Sequence, residues 1–311
     1  MSTVTETQTP QDAAPLAETI LFVGLGNMGW PMASNVVQDG RTVYVVDSDR
    51  DREKKFAQDI GGHANADAAQ LSTIDAVVLM LPTSAIVRDV LLNPDTGLAK
   101  SLPSGAVIVD MSSSDPTDTI ALTEDLRPLG LHVVDAPVSG GVPRATAGTL
   151  SIMLGANDEE SAVIAVDVIA PMSDKVFRTG AVGTGHAAKA LNNYVAGASF
   201  AAGAEALIIG KHYGLDHDVI VDVINASTGR SFSTENVLPQ IVSEKFHTGF
   251  ALGLLAKDVK IADQLAERAG VQADICRSVS TRLADASTAL GFGADHSAAY
   301  TFWNTQTTEQ S

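Results

Sequence analysis

The sequence predicts a Rossmann-type, doubly wound α/β domain followed by an all-helical domain entered through one long helix. Three observations carry that expectation: six short, continuous apolar runs in the first half, a glycine-rich turn directly after the first run, and a change of texture after Gly185. The runs lie at 20–24, 43–47, 76–81, 106–110, 133–135 and 150–154. They are rich in β-branched residues, do not alternate with polar ones, and end in Gly, Asp or Pro. Such runs read as parallel strands buried on both faces, and the turn-bounded amphipathic segments between them as the covering helices. That alternation is the signature of a doubly wound sheet. Beyond Gly185 the chain is Ala-rich and free of β-like alternation. Residues 186–211 predict one long helix, and 219–226, 256–269 and 275–290 predict three more, separated by Gly-containing turns. The expected division is a flexible tail at 1–18, the α/β domain at 19–183, the helical domain at 184–300 and a C-terminal tail at 301–311.

A length of 311 residues suits two domains at roughly 150 residues each. With 45% hydrophobic and 18% charged residues the chain has the composition of a globular protein with a large core, which excludes a disordered one. The longest apolar stretches, 74–82 and 195–210, are too short or too rich in Gly and Ala for a membrane span, which needs about 20 strongly apolar residues. Residues 1–18 are polar and acidic, without the basic start and apolar centre of a secretory signal, so a cytoplasmic location is expected. Cys276 is the only cysteine, which leaves no intrachain disulfide and no Cys-based metal site, and it reads as a buried small hydrophobe. The seven histidines show no HxxxH or HxH spacing, so no metal is expected. A net charge of −17 without any Lys/Arg cluster excludes a nucleic-acid partner; the densest basic stretch, 50–55, is interleaved with Asp and Glu. No membrane partner is expected either. An acidic surface does not attract an anionic substrate, so any carboxylate site must be locally positive.

The motif Gly24-Leu25-Gly26-Asn27-Met28-Gly29 follows the first predicted strand and opens a predicted helix. In that context it reads as a dinucleotide fingerprint. Gly24 allows the tight turn, Gly26 lets a pyrophosphate approach, and Gly29 lets helix and strand pack closely. Asp47 ends the second run, eighteen residues after Gly29. A carboxylate there accepts hydrogen bonds from the adenosine ribose and repels a 2′-phosphate, which favours NAD over NADP. Arg50, close by, is the kind of residue a 2′-phosphate would seek. Leu81-Pro82 and Ser112-Ser113 follow the third and fourth runs and belong to the cofactor side by position, since ligands of open α/β sheets sit at the carboxyl ends of strands.

Two more motifs carry chemistry. In Asp135-Ala136-Pro137-Val138-Ser139-Gly140-Gly141 the paired glycines expose backbone N–H groups that suit a carboxylate, and the Ser139 hydroxyl adds a donor. Read alone, this is equally a loop that closes a strand. In Gly183-Thr184-Gly185-His186-Ala187-Ala188-Lys189-Ala190-Leu191-Asn192-Asn193, Lys189 and Asn193 share one helix face. A lysine in that apolar setting loses its proton more easily than a free one and suits general acid/base work, although a snorkelling surface lysine has the same spelling. His186 reads as structural.

In this order and separation the three motifs resemble the β-hydroxyacid dehydrogenase family, which includes 3-hydroxyisobutyrate dehydrogenases and tartronate semialdehyde reductases. The resemblance runs over residues 18–300 and includes Gly249-Phe250 and Lys257-Asp258. It implies that Lys189 is the catalytic acid/base and that Asn193 orients the reacting end. It implies further that Ser139, Gly140 and Gly141 hold the substrate carboxylate, and that Lys257 reaches nicotinamide and substrate. The implied reaction is reversible, NAD-dependent oxidation of a short β-hydroxy acid to its semialdehyde, with the substrate held between the domains and the chain a homodimer or homotetramer. Residues 80–84 and 227–230 resemble 3-hydroxyisobutyrate dehydrogenases, the preferred expectation, whereas 293–297 resembles tartronate semialdehyde reductases. Other readings are a succinic semialdehyde reductase, an imine reductase, which normally lacks the lysine, and a catalytically silent binding module. Phe302 and Trp303 are expected to pack on a neighbouring element or subunit.

Overall fold

The strands of the first half are uniformly apolar because alternate residues serve two different cores. This computed structural model describes residues 16–308. In β1 (Thr19–Val23), Ile20 and Phe22 enter one core, and Leu21 and Val23 the other. The same split recurs in β2 (Thr42–Val46), where Val43 and Val45 face the first core and Tyr44 and Val46 the second. After the two-residue β3 (His63–Ala64) it returns in β4 (Ala76–Leu79), β5 (Val107–Asp110) and β6 (His132–Asp135). These six strands pair in parallel in the order β3-β2-β1-β4-β5-β6, the doubly wound arrangement. The remaining three are β7 (Val138–Ser139), β8 (Leu150–Ala156) and β9 (Ser173–Gly180). β8 runs antiparallel to β6 and β7 and parallel to β9, so the sheet is mixed at this end.

Three of these strands were not expected. β3 and β7 are two residues long, and β9 is the outermost neighbour of β8, half-buried or exposed throughout its length. An edge strand tolerates Asp174, Lys175 and Arg178, and therefore carries no apolar signal.

Seven helices accompany these strands: α1 (Gly29–Gln38), α2 (Arg50–Asp59), α3 (Ala68–Leu71), α4 (Ser84–Leu92), α5 (Pro116–Leu126), α6 (Gly141–Ala147) and α7 (Glu159–Ile169). Side chains cap most of their starts: Asp49, Asp67, Thr83, Asp115 and Asp158 each accept a backbone N–H of the first turn. No side chain caps α1. Residues 1–15 of the expected tail lie outside the described residues. The last three residues of that segment are tied down, with the Leu16 and Ala17 amides donating to Asp167 and the Glu18 amide to Asp75.

The chain divides into two compact units between Lys189 and Ala190. That cut falls inside α8 (Thr184–His212), the long helix. The second unit continues with α9 (His217–Asn225), α10 (Phe232–Asn236), α11 (Leu238–Val242), α12 (Leu252–Arg268), α13 (Asp274–Leu290) and α14 (Ala299–Thr308). Its core gathers Phe200, Leu207, Leu238, Leu252, Val259, Leu283 and Trp303, and Cys276 is buried within it. A Cβ on Gly203 of α8 would come within 2.9 Å of Leu238, so glycine there lets α11 sit against the backbone. That contact offsets the roughly 1 kcal/mol that glycine costs a helix interior.

Residues 301–308 are helical rather than a tail, because Trp303 is buried under the Arg282 guanidinium and its Nε1 donates to the Arg282 carbonyl. The short α10 and α11 also escaped expectation. Five residues are too few to show a period, although the Ser231/Thr234 capping box marks the start of α10. Among the described residues no helix is long and apolar enough to cross a membrane.

Candidate active site

The loop from β1 to α1 is crowded at two of its three glycines and open at the third. Gly24 adopts φ +98°, and a Cβ on it would lie 2.4 Å from the Met80 carbonyl oxygen; on Gly29 it would lie 1.8 Å from that of Gly24. Both positions therefore require glycine for the loop to close. At Gly26 a Cβ would meet nothing within 4 Å. Gly26 and Asn27 are exposed, and Met28 leads into the helix start that no side chain caps. The unmade hydrogen bonds of a helix start and the positive end of its dipole suit a pyrophosphate.

Asp47, nearly buried at the end of β2, accepts the Leu25 amide on Oδ2 at 2.7 Å and the Asp49 amide on Oδ1 at 2.9 Å. The carboxylate thus holds the glycine loop against β2. Arg50 is not its neighbour; the Arg50 guanidinium turns to the buried Glu53 at 2.9 Å. Arg52 instead reaches Asp47, at 3.1 Å. On the other side the Leu81 amide donates to Ser112 Oγ at 3.0 Å, which ties the end of β4 to that of β5 and sets Leu81 beside Gly24. Pro82 is exposed and Ser113 half-buried in the same two strand-end loops. An open glycine, an uncapped helix start and a carboxylate at the strand end fit a dinucleotide.

The second loop leaves β6 at Asp135. Ser139 pairs across the ladder with Ser151, and Gly140 and Gly141, both exposed, follow with φ +141° and +66°. The alkyl chain of Arg144 lies over Gly140, and its guanidinium bonds Asp174 at 3.1 Å. Lys189 is half-buried on α8. In the second unit, Asn193 is buried and its Nδ2 donates to Asp258 Oδ2 at 2.6 Å, while Lys257 Nζ lies 3.1 Å from Asp258 Oδ1. Asn193 and Lys257 therefore meet on one buried carboxylate.

A profile for the NAD binding domain of 6-phosphogluconate dehydrogenase matches residues 19–180. A profile described as NAD-binding of NADP-dependent 3-hydroxyisobutyrate dehydrogenase matches residues 183–303. The chain is 34% identical over 291 residues to 2-(hydroxymethyl)glutarate dehydrogenase of Eubacterium barkeri, covering 92% of this chain and 95% of that one. It is 34% identical over 253 residues to the mitochondrial 3-hydroxyisobutyrate dehydrogenase of Homo sapiens, covering 79% and 74%. The chain belongs to the β-hydroxyacid dehydrogenase family. A solved 3-hydroxyisobutyrate dehydrogenase of Mycobacterium tuberculosis, with L-serine, shares its fold at TM-score 0.83 and 30% identity, covering 93% of this chain and 99% of that one. Like other β-hydroxyacid dehydrogenases, the protein is an NAD(P)-dependent oxidoreductase.

Three residues that contact the candidate segments escaped sequence reasoning. Arg144, the one cation between Asp135 and Leu150, packs its alkyl chain on Gly140 and pairs its guanidinium with Asp174. Asp258 was visible only as the neighbour of Lys257, because its partner Asn193 is 65 residues away. Asp295 staples the loop that carries Gly249 and Phe250: it accepts the Thr248 and Gly249 amides and the Thr248 and Ser297 hydroxyls. Burial alone would raise the Asp295 carboxyl, but hydrogen bonds from Ser297, Thr248 and Gly249 outweigh it and hold the group below its ordinary value. Such a carboxylate stabilises the fold above the unfolded value and loses that contribution as pH falls through the lower folded one. Asp295→Ala is therefore expected to lower Tm at neutral pH, with the gap to wild type closing below about pH 4. Melting both proteins across that range checks it, and a gap that does not change with pH would remove the charged staple.

Proposed function

We propose that the enzyme oxidises acids of the form HOCH2–CHR–COO⁻, with 3-hydroxyisobutyrate as the leading substrate and NAD as the preferred acceptor. One observation carries this reading. 3-Hydroxyisobutyrate, 2-(hydroxymethyl)glutarate and L-serine, which name or accompany the three relatives above, share that core and differ only in R. The Ser139 hydroxyl and the Gly140 and Gly141 amides hold the common carboxylate. Lys189 Nζ takes the hydroxyl proton, Asn193 orients the reacting end, and Lys257 adds a cation toward substrate and cofactor. Bound NAD supplies the hydride acceptor, so that CH2OH becomes CHO and one proton leaves through Lys189. In the reverse direction the Lys189 ammonium returns that proton to the carbonyl oxygen. Gly24 to Gly29, Asp47, Leu81, Pro82 and Ser113 form the cofactor side.

A second reading is a substrate with a second carboxylate in R, as 2-(hydroxymethyl)glutarate would present: Arg144, packed on Gly140, would exchange its partner Asp174 for that group. The cytoplasm, where a lone Cys276 stays a thiol, is the proposed compartment. The proposed assembly is a homo-oligomer joined through α8, because Leu191, Val195 and Ile209 line one face of that helix at 50%, 60% and 63% exposure.

The test is NADH or NADPH formation with 3-hydroxyisobutyrate, 2-(hydroxymethyl)glutarate, serine and L-threonate, whose alcohols at the two carbons next to the carboxylate are secondary. The fastest turnover is expected with 3-hydroxyisobutyrate and NAD; preference for threonate, or silence with every CH2OH acid, would overturn the reading. In the same assay Asp47→Ala should cut the NAD-over-NADP ratio of kcat/KM by on the order of tenfold, about 1.4 kcal/mol. An unchanged ratio would place the ribose contact elsewhere.

A further inference from the structure

Asp135 opens the Ser-Gly-Gly motif, yet the reaction described above gives it no task. It is fully buried, and both of its carboxylate oxygens are spent on a segment far along the chain. Oδ1 accepts the Gly183 amide at 2.7 Å and Oδ2 accepts the His186 amide at 2.7 Å. Gly183 is the residue whose carbonyl receives the first intrahelical bond of α8, from the Ala187 amide, and His186 is the third residue of that helix. These two amides are the pair that a capping box satisfies with side chains from its own two positions. Here neither position can do so. Gly183 has no side chain, and the His186 ring turns away, with Nδ1 2.9 Å from Thr119 Oγ1. Thr184 directs its hydroxyl to the Ala181 carbonyl. One remote carboxylate does the work of both missing caps.

The space around that carboxylate is shaped for it. A Cβ on Gly155 would lie 2.5 Å from Asp135 Oδ1, and one on Gly185 would lie 2.8 Å from Oδ2 and 2.3 Å from the Met153 carbonyl oxygen. The two glycines let the first turn of α8 rest directly on the ends of β6 and β8. The His186 ring closes the remaining side, fully buried and 3.8 Å from both Asp110 and Asp135. Three residues later on the same helix stands Lys189, and four residues after Asp135 on its own strand end stands Ser139.

We propose that Asp135 is a positioning residue for Lys189: by gripping the Gly183 and His186 amides it fixes the depth and rotation of α8 relative to the Ser139–Gly141 loop. It thereby sets the distance between the bound carboxylate and the proton-transfer group. The proposal rests on the reading of Lys189 as the acid/base. Asp135→Asn keeps one acceptor and opposes the other amide with an NH2 group, which loosens the grip and leaves the Ser-Gly-Gly loop its sequence.

The experiment is a double-mutant cycle of Asp135→Asn and Lys189→Ala, with active sites counted by NAD binding. Asp135→Asn is expected to lower kcat on the order of ten- to a hundredfold, as a misplacement of about 1 Å does, with KM for the hydroxy acid and Kd for NAD within about twofold. The double variant is expected to be no slower than Lys189→Ala alone, since a residue acting through Lys189 has nothing left to position. Wild-type kcat in Asp135→Asn overturns the proposal, as does a double variant slowed by the full product of the two single effects. An active Lys189→Ala would instead sink the acid/base reading, and it is read in a separate arm. Should Asp135→Asn fail to fold, Thr119→Val, which removes the hydroxyl that holds the His186 ring and bonds the Asp115 carbonyl within its own helix, takes its place in the cycle. Its kcat is expected to fall several-fold with KM unchanged, and wild-type kcat there overturns the proposal equally.

Discussion

Replacing Lys189 with alanine is expected to lower kcat by a factor of hundreds or more, while NAD binds within about twofold of wild type. The dinucleotide loop is held by the bond from the Leu25 amide to Asp47 and by the close approaches at Gly24 and Gly29, which the substitution leaves unchanged in sequence. Under the proposed mechanism, what disappears is the group that takes the hydroxyl proton as hydride leaves the same carbon. A small primary amine added to the variant should restore part of the rate, because it supplies the missing base without the side chain. Steady-state kinetics beside a titration of NAD fluorescence quenching separates the two effects. Turnover near wild type would remove Lys189 from the mechanism, and a matching loss of NAD affinity would make it a structural residue.

Gly26→Val is the sharpest test of the cofactor loop. The backbone of Gly26 does not adopt a left-handed φ and no atom lies within 4 Å of a Cβ placed there, so the apo protein is expected to melt within about 2 °C of wild type. A pyrophosphate resting on that glycine would meet the new side chain, and Kd for NAD is expected to rise at least about a hundredfold, roughly 2.7 kcal/mol. Gly29→Ala should behave in the opposite way. Its methyl would sit 1.8 Å from the Gly24 carbonyl oxygen, so the protein itself pays, by about 2 kcal/mol or more, before any ligand is added. Thermal melts and calorimetric titration of both variants distinguish a ligand contact from a folding requirement. Unchanged NAD affinity in Gly26→Val would move the pyrophosphate off this loop.

The legible parts of the molecule share a physical origin. β1, β4 and β5 were visible because residues buried on both faces leave no room for polar ones, and α8 was visible because nothing breaks it over 29 residues. β9 was invisible because an edge strand bears its charges in solvent. Within the site, the glycine fingerprint and Asp47 were readable from spacing to the strand ends. The basic neighbour of Asp47 was not: Arg50 is nearer in sequence, but the helical turn sends it to Glu53 and brings Arg52 round to the carboxylate.

Through its resemblance to the family the sequence marked Ser139, Lys189, Asn193 and Lys257 as candidates; by itself it determined the order of the elements, the two-domain texture and the glycine loop that a dinucleotide requires. These are local properties, written in period, spacing and residue type. Tertiary structure alone decided what holds those groups in place. The grip of Asp135 on α8 spans 48 and 51 residues, and the bond from Asn193 to Asp258 spans 65. A buried carboxylate must find its donors wherever the fold delivers them, and that delivery depends on the packing of whole elements rather than on the residues beside it in the chain.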